Sequence, residues 1–288
     1  MPKIALAIYH ERPHFTEEET LLRPPLEALD IAFEVAVWND PLVDWTEYDA
    51  VVIRSTWDYH TQVALFLEWV AYLEQVGVAV WNRPHVLKWN SDKIYLKDLH
   101  DAKVPIIPSV WGTPTTDLHS VMQQQNWQEV LVKPRYGATS MGIQRVTLAD
   151  APQFDHSLAH AFIQPLMSEI RKGEYSLIFF NGLYSHTILK VAQPDSIFVN
   201  YEYGGTVERI HPPLLFIEHA HAALQAAAQC LRLDARDFLY ARVDGLDVED
   251  NLVLMELELI EPELYIRFEP HRAPQAFAQA IHSKVTQA

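Results

Sequence analysis

Three acidic residues near the end of the chain have the types and spacing of ligands for a hard metal ion. Asp244 ends one predicted strand, Tyr240–Asp244. Glu256 and Glu258 lie two positions apart in another, Leu252–Leu259. Because side chains alternate along a strand, Glu256 and Glu258 face the same side, and Asp244 joins them if the strands are neighbours. Since Mg²⁺ uses few protein carboxylates and completes its shell with phosphates and water, the pattern predicts a magnesium site at which the three carboxylates converge.

A basic residue accompanies these carboxylates. Arg242 lies two positions before Asp244, so it points to the same face, where it could reach a terminal phosphate. The alternative is a strand with a solvated acidic face. The positions between the carboxylates are apolar, however, and burying three unpaired carboxylates without a cation would be very costly. A cation-binding site is therefore the favoured interpretation.

The loop after Lys133 is a second candidate for phosphate chemistry. It runs from Pro134 to Gly142 and contains two glycines and a Thr-Ser pair. Such a loop can lay backbone amides over phosphates, and glycine permits the close approach and positive φ that this requires. The same pattern also occurs in an ordinary hairpin, so both interpretations stay open. It is not a P-loop, since no Gly-Lys-Ser/Thr triplet occurs in the chain.

The elements that must position these residues begin with an alternation of strands and helices. This alternation predicts βαβ units and a mostly parallel sheet, in which ligands bind beyond the carboxyl ends of the strands. That rule gives weight to residues 54–60, which follow the third strand. The predicted strands are Lys3–Tyr9, Phe33–Trp38, Asp49–Arg54 and Val78–Trp81, and the predicted helices are Glu17–Leu29, Val63–Gln75 and Lys93–His100.

The remainder of the chain has a different pattern. Its strands show alternation or short apolar runs, which is typical of antiparallel sheets, and one Ala-rich helix, Ile217–Leu231, interrupts them. This part is therefore predicted to be α+β. Its strands, besides the two acidic ones, are Val130–Lys133, Ile143–Thr147, Phe162–Pro165, Tyr175–Phe180 and Ser185–Val191.

Composition and charge limit the classes of partner. The 288 residues are 49% hydrophobic, enough for one large domain or two to three small ones. The formal net charge of −16 argues against nucleic-acid or anionic-membrane partners, because both would be repelled. No apolar run resembles a signal peptide or a membrane span, and the single cysteine, Cys230, permits no internal disulfide. A cytoplasmic protein with a small-molecule substrate is expected.

Taken in chain order, these motifs resemble the ATP-grasp superfamily over nearly the whole chain. Within it, the match is similar to the prokaryotic glutathione synthetase-like branch. Three segments resemble the subgroup containing the cyclo-ligase of D-cycloserine biosynthesis, which acts on O-ureido-D-serine: they are Arg54–Tyr59, Trp89–Leu96 and Met255–Pro262.

The resemblance implies that the cofactors are ATP and Mg²⁺. Lys93 and Lys133 would contact phosphates, a hinge from Gln164 to Met167 would present its backbone to the adenine edge, and Glu174 would hold the ribose hydroxyls. The loop that contains Ser140 would close over the phosphates. The implied ATP-binding residues are Lys93, Lys133, Ser140, Gln164, Leu166, Met167 and Glu174.

The same resemblance implies roles at the reacting phosphate. Lys190 and Arg242 would steady the transferred group as catalytic residues. Asp244, Glu256 and Glu258 would hold Mg²⁺, although many relatives carry Asn at the position of Glu258.

Candidate substrate residues follow the third strand and recur later in the chain. Trp57 and Asp58 could line an acceptor pocket with Arg54 on a substrate carboxylate, or they could serve interdomain packing, with Arg54 and Asp58 paired to each other. The resemblance adds Asn200 and Arg267 as substrate-binding residues. One departure stands out: glutathione synthetase-like relatives carry an arginine two positions before the asparagine, and Phe198 occupies that place here.

The resemblance predicts an ATP-grasp fold of α/β and α+β parts. A Rossmann-like pre-ATP-grasp domain would span residues 1–104, a small central lobe 105–165 and a C-terminal lobe 166–288. The expected function is an ATP-dependent ligase or cyclo-ligase that phosphorylates a small amino-acid-like substrate and forms a C–N bond, releasing ADP and phosphate. A homodimer through the N-terminal region is also expected. The alternatives are a catalytically silent ATP-binding regulatory module, which Phe198 would favour, and an ATP-grasp kinase.

Overall fold

The computed structural model describes residues 1–11, 17–138, 140–194, 196–199 and 203–286. These residues form three sheets with helices packed around them. Within the described ranges, no helix has the length and apolarity needed to cross a membrane.

The N-terminal sheet is parallel. Its strands are β1 (Lys3–Ile8), β2 (Ala32–Val37), β3 (Ala50–Ser55) and β4 (Ala79–Trp81), in the order β2-β1-β3-β4. The strands β1 and β3 are runs of buried residues, as expected where helices cover both faces of a parallel sheet. This confirms the α/β character that the alternation of strands and helices predicted. The helices of this region are α1 (Glu17–Glu27), α2 (Val63–Gln75), α3 (Pro84–Asn90) and α4 (Tyr95–Asp101).

A small antiparallel sheet follows, with one helix of its own, α5 (Leu118–Gln125). Asp117 begins that helix by accepting a hydrogen bond from the Ser120 N–H at 2.8 Å, and Asn126 ends it in the left-handed conformation. The strands are β5 (Val110–Trp111), β6 (Glu129–Pro134), β7 (Gln144–Thr147) and β8 (Ala161–Pro165), in the order β5-β8-β6-β7.

The third sheet is antiparallel and has five strands. They are β9 (Glu174–Phe180), β10 (Leu183–Val191), β11 (Thr206–Ile210), β12 (Tyr240–Val248) and β13 (Asn251–Glu258), in the order β11-β10-β9-β12-β13. Helices α6 (Leu214–Cys230) and α7 (Ala273–Val285) complete the described chain. The mixture of one parallel and two antiparallel sheets agrees with the predicted fold class.

β13 lies at the edge of its sheet, and residues from elsewhere satisfy its outward backbone groups. Near its start, Leu254 accepts a hydrogen bond from the Ile107 N–H at 3.0 Å and donates one to the Pro105 carbonyl at 2.9 Å. The segment from Pro105 to Ile107, which leads from the N-terminal region to the small sheet, is therefore hydrogen-bonded to this edge.

The far end of β13 is held by side chains of the N-terminal region. The buried Asn90 amide donates to the Leu257 carbonyl and accepts from the Leu259 N–H, both at 2.8 Å. The Tyr95 hydroxyl accepts from the Leu257 N–H at 2.9 Å. These bonds remove an exposed sheet edge and fix the strand that carries Glu256 and Glu258 relative to α3 and α4.

Five elements were not predicted from the sequence: α3, α5, α7, β5 and β11. The helices α3 and α5 have seven and eight residues, too short to show a clear period. The helix predicted from Lys93 begins at Tyr95 instead, which leaves Lys93 in the turn between α3 and α4.

Candidate active site

One cavity of about 220 Å³ is lined by side chains from all three parts of the chain. Lys93 follows α3, Lys133 lies near the end of β6, and Glu256 lies on β13. The cavity thus draws on every sheet or its flanking helices. It brings together eleven of the residues predicted from the sequence: Trp57, Lys93, Lys133, Ser140, Glu174, Lys190, Arg242, Asp244, Glu256, Glu258 and Arg267.

The register of β12 and β13 places the charged residues opposite one another. Asp244 lies opposite Glu256, and Arg242 lies opposite Glu258. All four side chains line the cavity, so they share one face of the sheet, as the alternation predicted. A register shift follows immediately, between Asp244 and Gly245.

Each carboxylate predicted to bind magnesium is paired with a cation of the chain. Glu256 forms an ion pair with Lys93. Arg242 binds Asp244 at 2.9 Å and Glu258 at 2.5 Å. Beside them, Lys190 pairs with Glu174 and lies 3.9 Å from Asp244. The cavity wall therefore alternates in charge.

Burial and the neighbouring charges shift the pKa values of these paired residues. It raises the pKa of Glu258 to about 7, although Arg242 opposes the shift. Asp244 is only 2% exposed, yet Arg242 and Lys190 outweigh its burial and lower its pKa. Burial alone would lower the pKa of Lys190, but Asp244 and Glu174 raise it well above its usual range. Several buried charges are thus stable only because their partners stay in place.

The residues on β12 and β13 fit a magnesium ion that takes most of its ligands from phosphate and water. Within the described ranges, no three His, Cys, Asp or Glu side chains converge closely enough to form a metal cluster. The expected convergence of three carboxylates is therefore not seen, because Lys93 and Arg242 separate them into ion pairs. Magnesium commonly takes only one or two carboxylates, which this wall of oxygen donors supplies. Burial disfavours the charged form of the Glu258 carboxylate, and a nearby cation would favour it.

A smaller recess of about 80 Å³ adjoins the main cavity and shares Lys133, Ser140 and Glu174 with it. Its lining is mostly apolar, as a flat aromatic base requires. All four residues of the predicted hinge are in this lining: Gln164, Pro165, Leu166 and Met167.

The hinge residues are themselves hydrogen-bonded within the small sheet. The Gln164 side chain donates to Ser109 Oγ at 2.9 Å. The Leu166 N–H donates to the Glu129 carbonyl at 3.0 Å, so an adenine contact through that amide would have to compete with this bond. Phe198 also lines this recess, with its ring 4.9 Å from that of Tyr203.

Lys133 lies at the boundary between the two spaces. Its ammonium group is 6.0 Å from the centre of the Phe162 ring. Burial lowers its pKa to about 8, against the opposing pull of Glu256. A phosphate placed here would favour the charged form and raise this pKa.

Two residues predicted to bind substrate, Arg54 and Asp58, are not among those that line the main cavity. Arg54 is 3% exposed and lies 3.3 Å from Glu18 and 3.7 Å from Glu19, in a separate recess. The suggested pair between Arg54 and Asp58 is therefore wrong. Asp58 instead accepts a hydrogen bond from the Trp38 indole at 2.8 Å and lines none of these three spaces, which does not support a substrate contact. Asn200 lies outside the described residues.

Several lining residues were missed in the sequence. Asn90 and Tyr59 lie within two of the segments that resemble the cyclo-ligase subgroup, but neither was predicted as a site residue. Tyr265 lies outside those segments, and its place in the lining depends on how separate elements pack. Glu261 and Glu263 could have been found, since they continue the acidic run after Glu258 in Glu-Pro-Glu. Glu261 is buried, which raises its pKa well above its usual value, with Glu258 adding to the shift.

The fold is that of the ATP-grasp ligases. The chain shares its fold with the ATP-grasp ligase PsnB, whose structure with a precursor variant, Mg and ADP superposes with a TM-score of 0.63 at 16% identity, over 98% of both chains. Residues 4–82 match the family described as the N-terminal domain of the D-cycloserine synthetase DcsG.

Longer comparisons define the family more closely. The chain is 32% identical to the cycloserine biosynthesis protein DcsG of Streptomyces lavendulae, over 91% of this chain and 93% of that protein. A crystal structure of the D-cycloserine synthetase DcsG superposes with a TM-score of 0.87 at 28% identity, covering 98% and 99% of the two chains. The chain belongs to the family of this cycloserine biosynthesis protein.

Proposed function

We propose that this ligase uses Mg-ATP to activate the carboxylate of a small amino-acid-like compound and then closes it on a nitrogen of the same molecule. The observation that carries the proposal is the cavity wall formed by Lys190, Arg242, Asp244 and Glu258, on which both signs of charge occur side by side. The relative named D-cycloserine synthetase supports a cyclic product, since cycloserine holds its former carboxyl carbon bonded to nitrogen within a ring.

The proposed chemistry asks for charge neutralisation and alignment rather than a protein nucleophile. When bound, Mg-ATP supplies the phosphoryl group that turns a carboxylate oxygen into a good leaving group. Lys93 and Lys133 would hold phosphate oxygens from the side of α3 and β6. Lys190 and Arg242 would neutralise the charge on the phosphoryl group in transit.

The remaining residues would orient the two reactants. Asp244, Glu256 and Glu258 would supply oxygen ligands to magnesium. The smaller recess beside Gln164 and Met167 would bind the adenine. Glu174 is expected at the ribose, although its ion pair with Lys190 would then have to rearrange. Arg267, which also lines the cavity, would hold the substrate carboxylate.

The silent-module and kinase alternatives are not favoured. The cations that a phosphoryl transfer needs, Lys190 and Arg242, line the cavity in spite of Phe198. The family relative is also named for synthesis of a cyclic product. A homodimer through the N-terminal region stays a prediction.

The test is phosphate release from Mg-ATP in the presence of O-ureido-D-serine, with D- and L-amino acids and dipeptides as comparison substrates. We expect phosphate and a cyclised product in equal amounts from O-ureido-D-serine alone. Hydroxylamine should divert part of the activated carboxylate to a hydroxamate. Phosphate release that requires two different substrate molecules would instead show an intermolecular ligase, and a stable phosphorylated product would show a kinase.

A further inference from the structure

A third recess, also of about 80 Å³, opens beside the main cavity. It lies between the start of α1, the end of β3 and the segment after Pro262. Trp57, Glu263 and Arg267 line both spaces, so the recess and the cavity are neighbours. A small molecule held by Arg267 in the cavity could therefore extend a short group into the recess.

The recess has more carboxylates than cations. Arg54 and Arg267 are the two basic residues of its lining. Arg54 contacts Glu18 at 3.3 Å, and Arg267 pairs with Glu263 and lies 3.6 Å from Glu18. The four carboxylates of the lining are Glu17, Glu18, Glu19 and Glu263.

Burial and the neighbouring carboxylates act on the pKa of Glu18 in the same direction. Burial raises the pKa of Glu18 to about 7; Arg54 opposes the shift, whereas Glu263 and Glu19 add to it. The Glu18 carboxylate also accepts the Ile266 N–H at 2.6 Å. A positively charged ligand group in this recess would therefore reduce the repulsion among its carboxylates.

A buried hydroxyl points to the same conclusion independently. Ser55 is 2% exposed and lines the recess, and its Oγ has no hydrogen-bond partner within the described part of the chain. Leaving a buried hydroxyl unpaired is costly, and a ligand group would satisfy it. The next residue, Thr56, also has a buried hydroxyl without a partner there, but it lines none of the three spaces.

A purely structural role explains only part of this arrangement. Glutamates in the first turn of α1 stabilise its helix dipole, and Glu18 neutralises Arg54. Neither effect accounts for an open recess that continues the main cavity, nor for the unpaired Ser55 hydroxyl within it.

We infer that this recess binds the ammonium group of an amino-acid substrate whose carboxylate lies beside Arg267 in the main cavity. Ser55 Oγ accepts one hydrogen bond from the ammonium group, and Glu18, Glu19 and Glu263 supply the compensating charge. The inference rests on the proposed function and assigns the residues that recognise the amino group of its substrate. A carboxylic acid of the same length without that group is excluded.

The test compares O-ureido-D-serine with its des-amino counterpart, 3-(ureidooxy)propanoate. Binding is measured by calorimetry on the full chain with Mg²⁺ and a non-hydrolysable ATP analogue, and turnover is measured by phosphate release. In the wild-type protein the des-amino compound should bind at least about tenfold more weakly, the value of one charge-assisted hydrogen bond. Equal binding of the two compounds would overturn the inference.

Two neighbouring substitutions separate ligand binding from folding. Ser55→Ala should weaken O-ureido-D-serine binding about tenfold and leave the KM for ATP unchanged. The variant should be as stable as the wild type, because it deletes a hydroxyl with no partner in the described chain. Thr56→Val removes a comparable hydroxyl outside the recess and should leave substrate binding unchanged. Equal effects of the two substitutions on substrate binding would count against the recess.

A third variant tests the charge. Glu263→Gln keeps a hydrogen-bond acceptor for Arg267 but removes one negative charge. It should therefore reduce the difference in affinity between O-ureido-D-serine and its des-amino counterpart. If O-ureido-D-serine binds in an amino-dependent way but is not turned over, the recess is supported and the proposed cyclo-ligase function fails. If O-ureido-D-serine, D-serine and D-alanine all fail to bind, the recess has been assigned wrongly.

Discussion

Lys93 forms an ion pair with Glu256 although 163 positions separate them in the chain. The pair joins the turn after α3 to β13, across the main cavity. A proposed phosphate ligand and a proposed magnesium ligand thus neutralise each other. Binding of Mg-ATP would exchange both partners, giving the lysine a phosphate and the carboxylate a metal ion.

The first prediction concerns this exchange. Glu256→Gln removes a metal ligand while it keeps the size of the side chain. We expect turnover to fall by about 10²–10³, the loss typical of removing one preorganised electrostatic group, and the Mg²⁺ concentration for half-maximal rate to rise. Phosphate release measured against Mg²⁺ concentration checks this. Glu68→Gln, on the exposed face of α2, is the control, and equal magnesium dependence in the two variants would refute the assignment.

The second prediction is a pH dependence of ATP binding. The pKa of Lys133 is lowered to about 8, and bound phosphate favours its charged form. Affinity for Mg-ATP should therefore be highest below pH 8 and fall as the pH rises through that value. Lys133→Arg stays charged and should flatten the profile between pH 7 and 10. Lys172→Arg, at an exposed position, should keep the wild-type profile, and parallel profiles for all three proteins would contradict the role of Lys133.

The third prediction concerns the strand that carries Glu256. Asn90→Ala leaves the Leu257 carbonyl and the Leu259 N–H without their side-chain partner. Losing both bonds should lower the free energy of unfolding by about 2–4 kcal/mol, since an unpaired buried group costs about 1–3 kcal/mol. Urea denaturation measures the change. Asn251→Ala, at an exposed position, should change it by less than about 0.5 kcal/mol. A loss below 1 kcal/mol for Asn90→Ala would show that water or other groups replace its bonds.

The fourth prediction concerns acid stability. His186 is buried, its Nε2 lies 3.0 Å from the Leu264 carbonyl, and burial lowers its pKa to about 4. A pKa below the unfolded value of about 6.5 stabilises the fold above pH 6.5, and this stabilisation is lost as the pH falls towards 4. The full effect is about 3 kcal/mol. His186→Gln should remove most of this dependence, while the surface variant His85→Gln should retain it. The free energy of unfolding is measured between pH 6.5 and 4 in the wild type and both variants. An identical loss of stability in all three proteins would contradict the prediction.

The fifth prediction concerns Phe198. Its ring lines the apolar recess beside the hinge, so Phe198→Arg would bring a charge into the space expected to hold adenine. We expect the KM for ATP to rise at least about tenfold, because a guanidinium would be poorly solvated in this mostly apolar recess and would occupy the space expected for adenine. Phe198→Leu should change it far less. Increased turnover in the arginine variant would instead show that the side chain reaches the phosphates.

Local periodicity was sufficient to predict several parts of this site. Alternation along the strand predicted that Arg242 and Asp244 share a face with Glu256 and Glu258, and the register of β12 and β13 confirms it. The helix predicted over Val63–Gln75 has those bounds in the structure. Such features depend on residues two to four positions apart, so their physical cause is contained within a short segment.

Only the tertiary structure decided which charges meet. Arg54 pairs with Glu18 and Glu19 rather than with nearby Asp58, and Lys93 pairs with Glu256 instead of standing free. Such pairs follow from the packing of separate sheets and helices, which no local period encodes. The same holds for the recess around Ser55, which exists because α1, β3 and the segment after Pro262 meet there.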